Sequence, residues 1–433
     1  ATFDNHSAND FAPYVYISTD FGTTWRAITT GIPAGQTVRT ITEDLKNPNV
    51  LYVGTEFGLF VSLNKGTQWI RVKANLPTVP IAEITLHPRD NDMLLATHGR
   101  SIWILDDISA FQQASTAMAS AAYLFDIRAA TSFNPGSFRP AFGSPGDRRF
   151  WGKNPEMGAA VTYYLRGPAQ SVSARVTDAS GAVVRELGAD DFAGKMSAGV
   201  NRLQWDLRHQ PIPDSLVSGG GRSGGTAPFV LPGTYRVAMT VDGRDAGTKS
   251  VTVNGDPLSV ITDADRKLWH DLSLAVHQLQ SVAGVAAARI AALSASGRAV
   301  QQLVNQAQTP PAAIRTSVEA LNRELAGLRR QFSVPVPGEP ATSGRGGGGG
   351  GGGGVGPVPN QLGGVKGQLL QSTSRPTEVQ LRTAREARQD LVTAIDAINR
   401  IITTALPAMY QALGQPQLAP SVTPLPAVTV SIP

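Results

Sequence analysis

The chain has 433 residues, with 38 Lys and Arg against 33 Asp and Glu, which leaves a formal net charge of +5. It contains no cysteine, so disulfides, thiolate zinc sites and cysteine nucleophiles are excluded. No cluster of basic residues is dense enough to indicate a nucleic-acid surface. A chain of this length is expected to form roughly two to four domains.

The first 107 residues read as short strands joined by turns. Residues 14–18 alternate in polarity and lead through a turn rich in Asp, Gly and Thr into residues 25–28, which predicts a β-hairpin. The same signals predict further strands at residues 38–44, 50–55, 58–62, 81–86, 93–97 and 101–105. This part of the chain is therefore expected to be all-β.

A turn motif of the form Ser-x-Asp-x-Gly-x-Thr-Trp occurs twice in this region. The first copy is complete, with Ser18, Asp20, Gly22, Thr24 and Trp25. The second copy is degraded, with Ser62, Asn64, Gly66 and Trp69 and with Gln68 in the threonine position. An Asp side chain can accept backbone hydrogen bonds in such a turn, Gly permits a positive φ, and Trp packs over the hairpin. We therefore assign these residues a structural role.

The spacing of the motif indicates a repeat. The two tryptophans are 44 residues apart, which fits one four-stranded propeller blade. The two copies resemble the Asp-box, or BNR, repeat of sialidase-, sortilin- and xyloglucanase-like propellers. Residues 98–107 (HGRSIWILDD) are similar to the last blade of bacterial sortilin-like proteins of the kind called glycosyl hydrolases. The resemblance implies that residues 1–107 are the last blades of a β-propeller.

The number of blades is too small for a closed propeller. About two and a half blades fit into this stretch, whereas a propeller needs roughly four to eight. An incomplete propeller leaves unpaired strand edges and exposed apolar faces. We therefore expect the missing blades to come from the N-terminal part of a longer precursor or from another chain.

No catalytic residue is predicted in this region. A glycosidase needs two carboxylates roughly 5–10 Å apart, and no spacing singles out such a pair. The candidates are Glu43, Asp44, Glu56, Glu83, Asp106 and Asp107, for which solvated turn positions are the simpler interpretation. The Arg triad of sialidases is not recognisable. His98 and Arg100, on a loop between strands, are the predicted binding residues; the alternative is that this loop only closes the last blade.

The middle of the chain is predicted to be a connector followed by a sandwich. Residues 108–155 form the connector, in which the basic and aromatic residues 148–151 are expected to pack against a domain. About six or seven short strands within residues 156–256 predict a β-sandwich. The phrases TDASGAVVR, GVNRLQWDLR and PGTYRV resemble the Ig-like domain of secreted bacterial proteins, which implies a spacer or adhesion module. The Gly-rich residues 218–225 are predicted to be a flexible loop within it.

The C-terminal part carries helical patterns. A capping signal at residues 262–265 opens a helical hairpin predicted over residues 257–334, in which Gly297 is expected to end or bend the first helix. The remaining helices are predicted over residues 360–413, where Pro407 should kink or end the last one. Residues 335–359 are a Gly/Pro-rich linker with nine consecutive glycines, and residues 414–433 are a Pro-rich tail. The apolar stripes predict an antiparallel bundle; intermolecular coiled coils are the alternative.

Two histidines on the first helix, His270 and His277, are seven residues apart and could share a face. A metal pair is conceivable there, but a solvated or interhelical polar role is the favoured interpretation. We predict no metal site and no cofactor.

The sequence thus predicts a multidomain β plus α protein with a partial β-propeller, an Ig-like β-sandwich and a C-terminal antiparallel helical bundle. The favoured function is a non-catalytic, exported bacterial binding or assembly-scaffold protein, located in the periplasm, at the cell surface or outside the cell. The alternatives are a glycoside hydrolase whose active site lies mostly in the missing blades, and a sortilin-like peptide receptor. The expected partners are the missing blades in a homo- or hetero-oligomer and a glycan or peptide ligand, with no nucleic acid and no transmembrane segment.

Overall fold

The computed structural model of the chain describes residues 1–73, 75–134, 156–217, 225–307, 312–336 and 356–433. The chain is mixed β plus α, with antiparallel sheets followed by a helical C-terminal region. It divides into two compact units. Unit 1 comprises Ala1–Ala130, Arg149–Asp206 and Gly233–Val253, and unit 2 comprises Thr131–Arg148, Leu207–Pro232 and Asn254–Pro433. The predictions for residues 148–151, for the loop at 218–224 and for the nine glycines lie outside the described residues.

Unit 1 begins with three antiparallel sheets, and in each of them strands that are consecutive in the sequence pair with one another. The first sheet contains β1 (Thr2–Asn5), β2 (Asp10–Ile17) and β3 (Arg26–Ala27). The second contains β4 (Val38–Glu43), β5 (Leu51–Thr55), β6 (Gly58–Ser62) and β7 (Ile70–Arg71). The third contains β8 (Ile81–Leu86), β9 (Met93–Thr97) and β10 (Ile102–Leu105).

The strands predicted in this region are present, but β1 and the two-residue strand β7 were not predicted. The four residues of β1, TFDN, carry little β signal, and only the pairing of Thr2 with Val15 and of Phe3 with Tyr14 makes them a strand. Edge strands of this kind are decided by their partner strand more than by their own propensity.

The two central strands of the second sheet, β5 and β6, are buried on both faces. Successive side chains of a strand point to opposite faces, and every residue of β5 and β6 is buried. On one face Val53 and Phe60 pack in a cluster with Val15 of the first sheet. On the other face Tyr52 packs in a cluster with Leu95 of the third sheet. The second sheet therefore lies between the first and the third.

Unit 1 continues with two short helices and two further sheets. The helices are α1 (Ser109–Gln112) and α2 (Ala114–Ala119). The fourth sheet has the order β11 (Ala122–Leu124), β13 (Ala159–Leu165), β16 (Gly199–Trp205). The short strand β12 (Ala130–Ser132) begins at the end of the first segment of this unit. The main strands of the fifth sheet are β18 (Arg244–Gly255), β17 (Gly233–Val241), β14 (Val172–Thr177) and β15 (Val183–Leu187), in that order.

Aromatic packing joins the fourth and fifth sheets. Trp205 of β16 is fully buried, and its ring meets that of Tyr235 of β17 edge-on with centroids 5.5 Å apart. Tyr163 of β13 packs edge-on against Phe192, in the segment between β15 and β16, with centroids 5.9 Å apart. Such aromatic pairs contribute about 0.5–1.5 kcal/mol beyond the area that they bury.

Unit 2 is mainly helical. Its helices are α3 (Asp263–Gln306), α4 (Ala312–Gln331), α5 (Val358–Gln371), α6 (Glu378–Arg400) and α7 (Leu406–Ala412). The side chain of Thr262 caps α3 by accepting from the Asp265 N–H, as the sequence predicts. Thr377 and Gln380 form a reciprocal capping box at the start of α6. The predicted apolar stripe of α4 is buried within this unit, from Ile314 to Leu328.

Gly297 does not end the first helix, which was one of the two outcomes expected of it, because α3 continues through it to Gln306. A Cβ at this position would lie 2.9 Å from Asn322 Oδ1 and 3.0 Å from Leu325 Cδ1 of α4. The missing side chain lets α3 and α4 approach closely. Tertiary packing, rather than helix termination, accounts for this glycine.

The end of the bundle follows the prediction made from Pro407. The regular part of α6 ends at Arg400, a π-helical turn spans Ile401–Ala405, and α7 follows. Proline lacks the N–H that would continue the α-helical ladder, and a π turn accommodates that loss. The Pro-rich tail then lies along α6, where Arg388 Nε donates to the Val430 carbonyl at 2.6 Å.

Two helical segments, Asp263–Gln306 and Glu378–Ala412, are long and apolar enough to cross a membrane by length and composition alone. Core helices of globular proteins pass the same test, and much of each segment is buried in unit 2. This is weak evidence for a membrane span.

Candidate functional site

The first of the two turn motifs, at residues 18–25, is closed by its own side chains. Ser18 Oγ accepts from the Gly22 N–H at 2.7 Å, and Asp20 Oδ1 accepts from the Thr24 N–H at 2.8 Å. The Thr24 hydroxyl donates to Asp20 Oδ2 at 2.6 Å, and the Ser18 hydroxyl donates to Oδ1 at 2.8 Å. These bonds lower the pKa of Asp20 to about 2, and the bond from the Thr24 hydroxyl has the largest effect. Both carboxylate oxygens are therefore engaged inside the turn.

The second, degraded turn forms the same frame. Ser62 Oγ accepts from the Gly66 N–H at 2.8 Å, and Asn64 Oδ1 accepts from the Gln68 N–H at 2.9 Å. An amide oxygen thus replaces the carboxylate oxygen of Asp20 as acceptor. The charge is lost while the turn is kept, which fits a structural role for these positions.

Substitutions of Asp20 should separate the acceptor from the charge. We expect melting temperatures in the order wild type, D20N, D20A, because Asn keeps one acceptor, as in the second turn, and Ala keeps none. The folded pKa of Asp20 is lowered, so its contribution is present above the unfolded value of about 4 and is lost as the pH falls toward about 2. Thermal unfolding between these pH values should show a weaker acid dependence for D20N; an unchanged melting temperature for D20A would contradict a structural role.

The two box tryptophans lie in different environments. Trp25 is 52% exposed, and its Nε1 donates at 3.0 Å to the Gly22 carbonyl of its own turn. Trp69 is only 2% exposed, and its Nε1 donates at 2.6 Å to the Ile28 carbonyl, next to the first sheet. Trp25 therefore stabilises only its own hairpin, whereas Trp69 joins the first and second sheets.

His98 and Arg100, the predicted binding residues, lie in the exposed turn between β9 and β10. The His98 N–H donates to the Pro80 carbonyl at 3.0 Å, and the Arg100 carbonyl accepts from Trp103 Nε1 at 3.0 Å. Neither side chain forms a hydrogen bond or ion pair with a described residue. The turn itself has positive φ angles of 82° at Gly99 and 62° at Ser101. The backbone of this pair closes a hairpin, and their binding role stays a prediction.

Two of the candidate carboxylates, Asp44 and Asp107, are buried, so the expectation of solvated turn positions is wrong for them. Asp44 is buried, and its Oδ2 accepts from the Tyr52 hydroxyl at 2.8 Å and from Gln112 Nε2 at 3.1 Å. Burial, and then the charge of Asp44, raise the pKa of Tyr52. Asp107, also buried, accepts from the Ser109 N–H at 3.1 Å. These bonds tie turns to the neighbouring helix.

Another candidate, Glu56, belongs to a four-residue group that we call the Arg39 cluster, formed by Asp4, His6, Arg39 and Glu56. Arg39 Nη1 lies 2.6 Å from Asp4 Oδ2, and its Nη2 lies 2.6 Å from Glu56 Oε2. His6 Nδ1 lies 2.5 Å from Asp4 Oδ1. Asp4, His6 and Arg39 were not predicted, since only the docking of β1 brings Asp4 beside Arg39.

The contacts of the Arg39 cluster indicate a structural role. The pKa of Asp4 is lowered most by its hydrogen bonds with the backbone N–H and the ring of His6. The charge of Arg39 lowers it further. Glu56 accepts from two nitrogens of Arg39, at 2.9 and 2.6 Å. A glycosidase requires one carboxyl group that stays protonated as a general acid, whereas the contacts of Asp4 favour its ionised state. The cluster ties β1 to the second sheet.

Unit 2 contains a second polar group, made from the two histidines predicted to share a helix face. His277 is buried; its Nε2 lies 2.8 Å from the Gln210 carbonyl, and its Nδ1 lies 3.3 Å from Lys366 Nζ. A carbonyl accepts only, so Nε2 carries the proton and Nδ1 is the acceptor. His270 Nε2 lies 3.0 Å from His209 Nε2.

Burial controls the protonation of this group. It lowers the pKa of His277 to about 4, with the charge of Lys366 adding to the effect, and it lowers the pKa of the fully buried Lys366 to about 8. Burial also lowers the pKa of His270. Among the described residues, no group of three or more His, Cys, Asp or Glu side chains could hold a metal ion.

Comparisons with known proteins add little. No family model and no curated protein matches the chain. The crystal structure of CopC from Methylosinus trichosporium OB3b matches at 18% sequence identity, over 32% of this chain and 99% of that chain, with a TM-score of 0.17. A TM-score of this size supports no statement about fold or function.

Proposed function

We propose that this chain is a non-catalytic binding or assembly scaffold, exported from a bacterial cell and built on an Asp-box propeller that further blades complete. In this proposal the fourth and fifth sheets are an Ig-like spacer module. The observation that carries the proposal is the contrast between the second sheet, covered on both faces, and the exposed apolar outer faces of the first and third sheets.

The third sheet supplies one of these outer faces. Trp103 and Leu105 of β10 pack toward the second sheet, whereas the alternate residues Ile102 and Ile104 are 66% and 59% exposed. Within the described part of the chain β10 pairs only with β9, so its other edge is open. An open edge with exposed isoleucines is a site for adding a strand or a sheet.

The first sheet supplies the other outer face. Phe3 of β1 is 58% exposed and packs edge-on against Tyr16 of β2 with centroids 5.9 Å apart. Phe3 is paired with Tyr14, and Tyr14 and Tyr16 are two residues apart, so all three share the face opposite Val15. In a propeller each blade covers the face of the next, so further Asp-box sheets are the occupants that fit both ends.

The carboxylates support a non-catalytic function. Asp20 is engaged by donors within its own turn, and Asp4 and Glu56 share Arg39. We expect no turnover when the chain, alone and joined to the blades that complete it, is screened on a panel of glycans. Robust hydrolysis would instead favour the glycoside hydrolase alternative.

Charge placed on the outer face of the third sheet should abolish assembly. We expect the isolated chain to self-associate through its open sheets, so that its mass in light scattering exceeds the 45.6 kDa of one copy. The double variant I102E/I104E should return it to one copy, because burying two carboxylates in an apolar contact is unfavourable. Val183 on β15 is 53% exposed, so V183E, which adds one charge on a different sheet, is the control and should still associate.

Two outcomes would count against this interface. One is a wild-type chain that stays a single copy at every concentration measured, both alone and with added blades. The other is equal disruption by V183E, which would indicate a general effect of charge on solubility.

A further inference from the structure

A cavity in unit 2 lies between α3 and α4 and has a volume of about 440 Å³. Its polar lining consists of Ser294, Arg298, Gln301, Gln302, Asn322 and Arg329. Two of these side chains are cationic, the others are neutral, and no carboxylate is among the described lining residues. The wall of the cavity therefore carries a net positive charge.

The two arginines have no partner in the part of the chain that the structure describes: neither Arg298 nor Arg329 forms an ion pair or a side-chain hydrogen bond with a described residue. The Nε of Arg329 is buried and has no hydrogen-bond partner in the described part of the chain. A buried donor without an acceptor is unfavourable, and an anion in the cavity would supply that acceptor. By contrast, Arg400 on α6 pairs with Glu324.

The amides of the cavity are held in place by their neighbours. Asn322 Nδ2 donates to Gln301 Oε1 at 3.3 Å, which bridges the two helices. Gln301 Nε2 in turn donates to Asn305 Oδ1 at 3.1 Å. The close approach at Gly297 brings Asn322 against α3. The cavity is thus built on two packed helices, which hold its side chains more firmly than loops do.

We propose that this cavity binds a small organic phosphate monoester. Two guanidinium groups without a carboxylate match the double negative charge of a phosphate monoester, and guanidinium donors fit phosphate oxygens in pairs. The volume lies within the range of about 300–1,000 Å³ typical of small-molecule sites, so it also admits an organic body. This site is independent of the scaffold function, since it uses no residue of the open sheets.

Calorimetric titration of the full chain tests the site, with inorganic phosphate, ribose 5-phosphate and ribose as probes. We expect one site for ribose 5-phosphate, weaker binding of inorganic phosphate and none of ribose. R329Q and R298Q should each weaken phosphate binding about tenfold or more, because each removes a charge-assisted hydrogen-bond donor. R330Q, an exposed neighbour on α4 that does not line the cavity, removes the same charge and should bind like wild type.

Circular dichroism and melting temperature establish that each variant is folded. Because R298Q and R329Q are separate variants, the test still holds if one of them does not fold. The proposal is overturned if millimolar phosphate and ribose 5-phosphate give no binding, or if R330Q weakens binding as much as R329Q. Ribose 5-phosphate that binds no more tightly than inorganic phosphate would overturn the assignment of an organic ligand. None of these results bears on assembly, which I102E/I104E tests separately.

Discussion

Replacing Trp69 with alanine should destabilise the stacked sheets by about 3–5 kcal/mol, whereas the same change at Trp25 should have only a small effect. Trp69 is 2% exposed and Trp25 is 52% exposed, although both occupy the last position of the same turn motif. Removal of the Trp69 ring leaves a cavity between the first and second sheets and deprives the Ile28 carbonyl of its donor at 2.6 Å. Removal of Trp25 exposes a turn that already faces solvent.

Native-state hydrogen exchange measures this difference locally, which matters because a chain with two compact units need not unfold in one step. The amides of β5 and β6 should exchange much faster in W69A than in wild type. In W25A their exchange rates should be close to those of wild type. Equal protection of these strands in both variants would show that the second box does not join the sheets.

Replacing Lys366 with methionine should remove a pH dependence from the stability of unit 2. The pKa of Lys366 falls from 10.5 in the unfolded chain to about 8 when folded, because burial disfavours the charged amine. The unfolded chain thus binds more protons between these values, so wild-type stability rises with pH from about 8 to about 10.5. The advantage of K366M over wild type should shrink by about 3 kcal/mol across this window, at 1.36 kcal/mol per pKa unit.

Urea unfolding at several pH values, followed by helical circular dichroism, gives the slopes. Lys267 is exposed on α3, so K267M is the control and should keep the wild-type slope. The lowered pKa of His277 acts in a separate window, where stability falls as the pH drops from about 6.5 to about 4. If the free energy of unfolding of K366M changes with pH as steeply as that of wild type between pH 8 and 10.5, this would falsify the claim that burial lowers the pKa of Lys366.

The parts of the fold that follow from nearby residues were predictable. The Ser18 and Asp20 bonds of the first box reach only four residues, as does the hydroxyl of Thr24. The Thr262 cap reaches three residues to Asp265. Interactions of this range are encoded in a short window of sequence, so the hairpins and helix starts were visible before the tertiary structure.

The candidate site depended on contacts that no short window contains. Asp4 and Arg39 are 35 residues apart, and their ion pair exists only because β1 docks beside the second sheet. The cavity between α3 and α4 likewise needs both helices, and the bond between Asn322 and Gln301 spans 21 residues. Arginine and glutamine on an exposed helix face carry no sign of such a cavity, because the same residues are typical of any solvated surface.

The sequence by itself determined the β and helical regions, the repeat and its turns, because alternation, period and capping are local properties of the chain. It also identified both box tryptophans, His270 and His277 as positions of interest. Only the tertiary structure decided that Trp69 is buried and Trp25 exposed, that Gly297 lies inside a helix, and that Lys366 is buried beside His277, 89 residues away. The physical reason is that burial is a property of neighbouring elements, and it sets both the cost of removing a side chain and the pKa of a buried one.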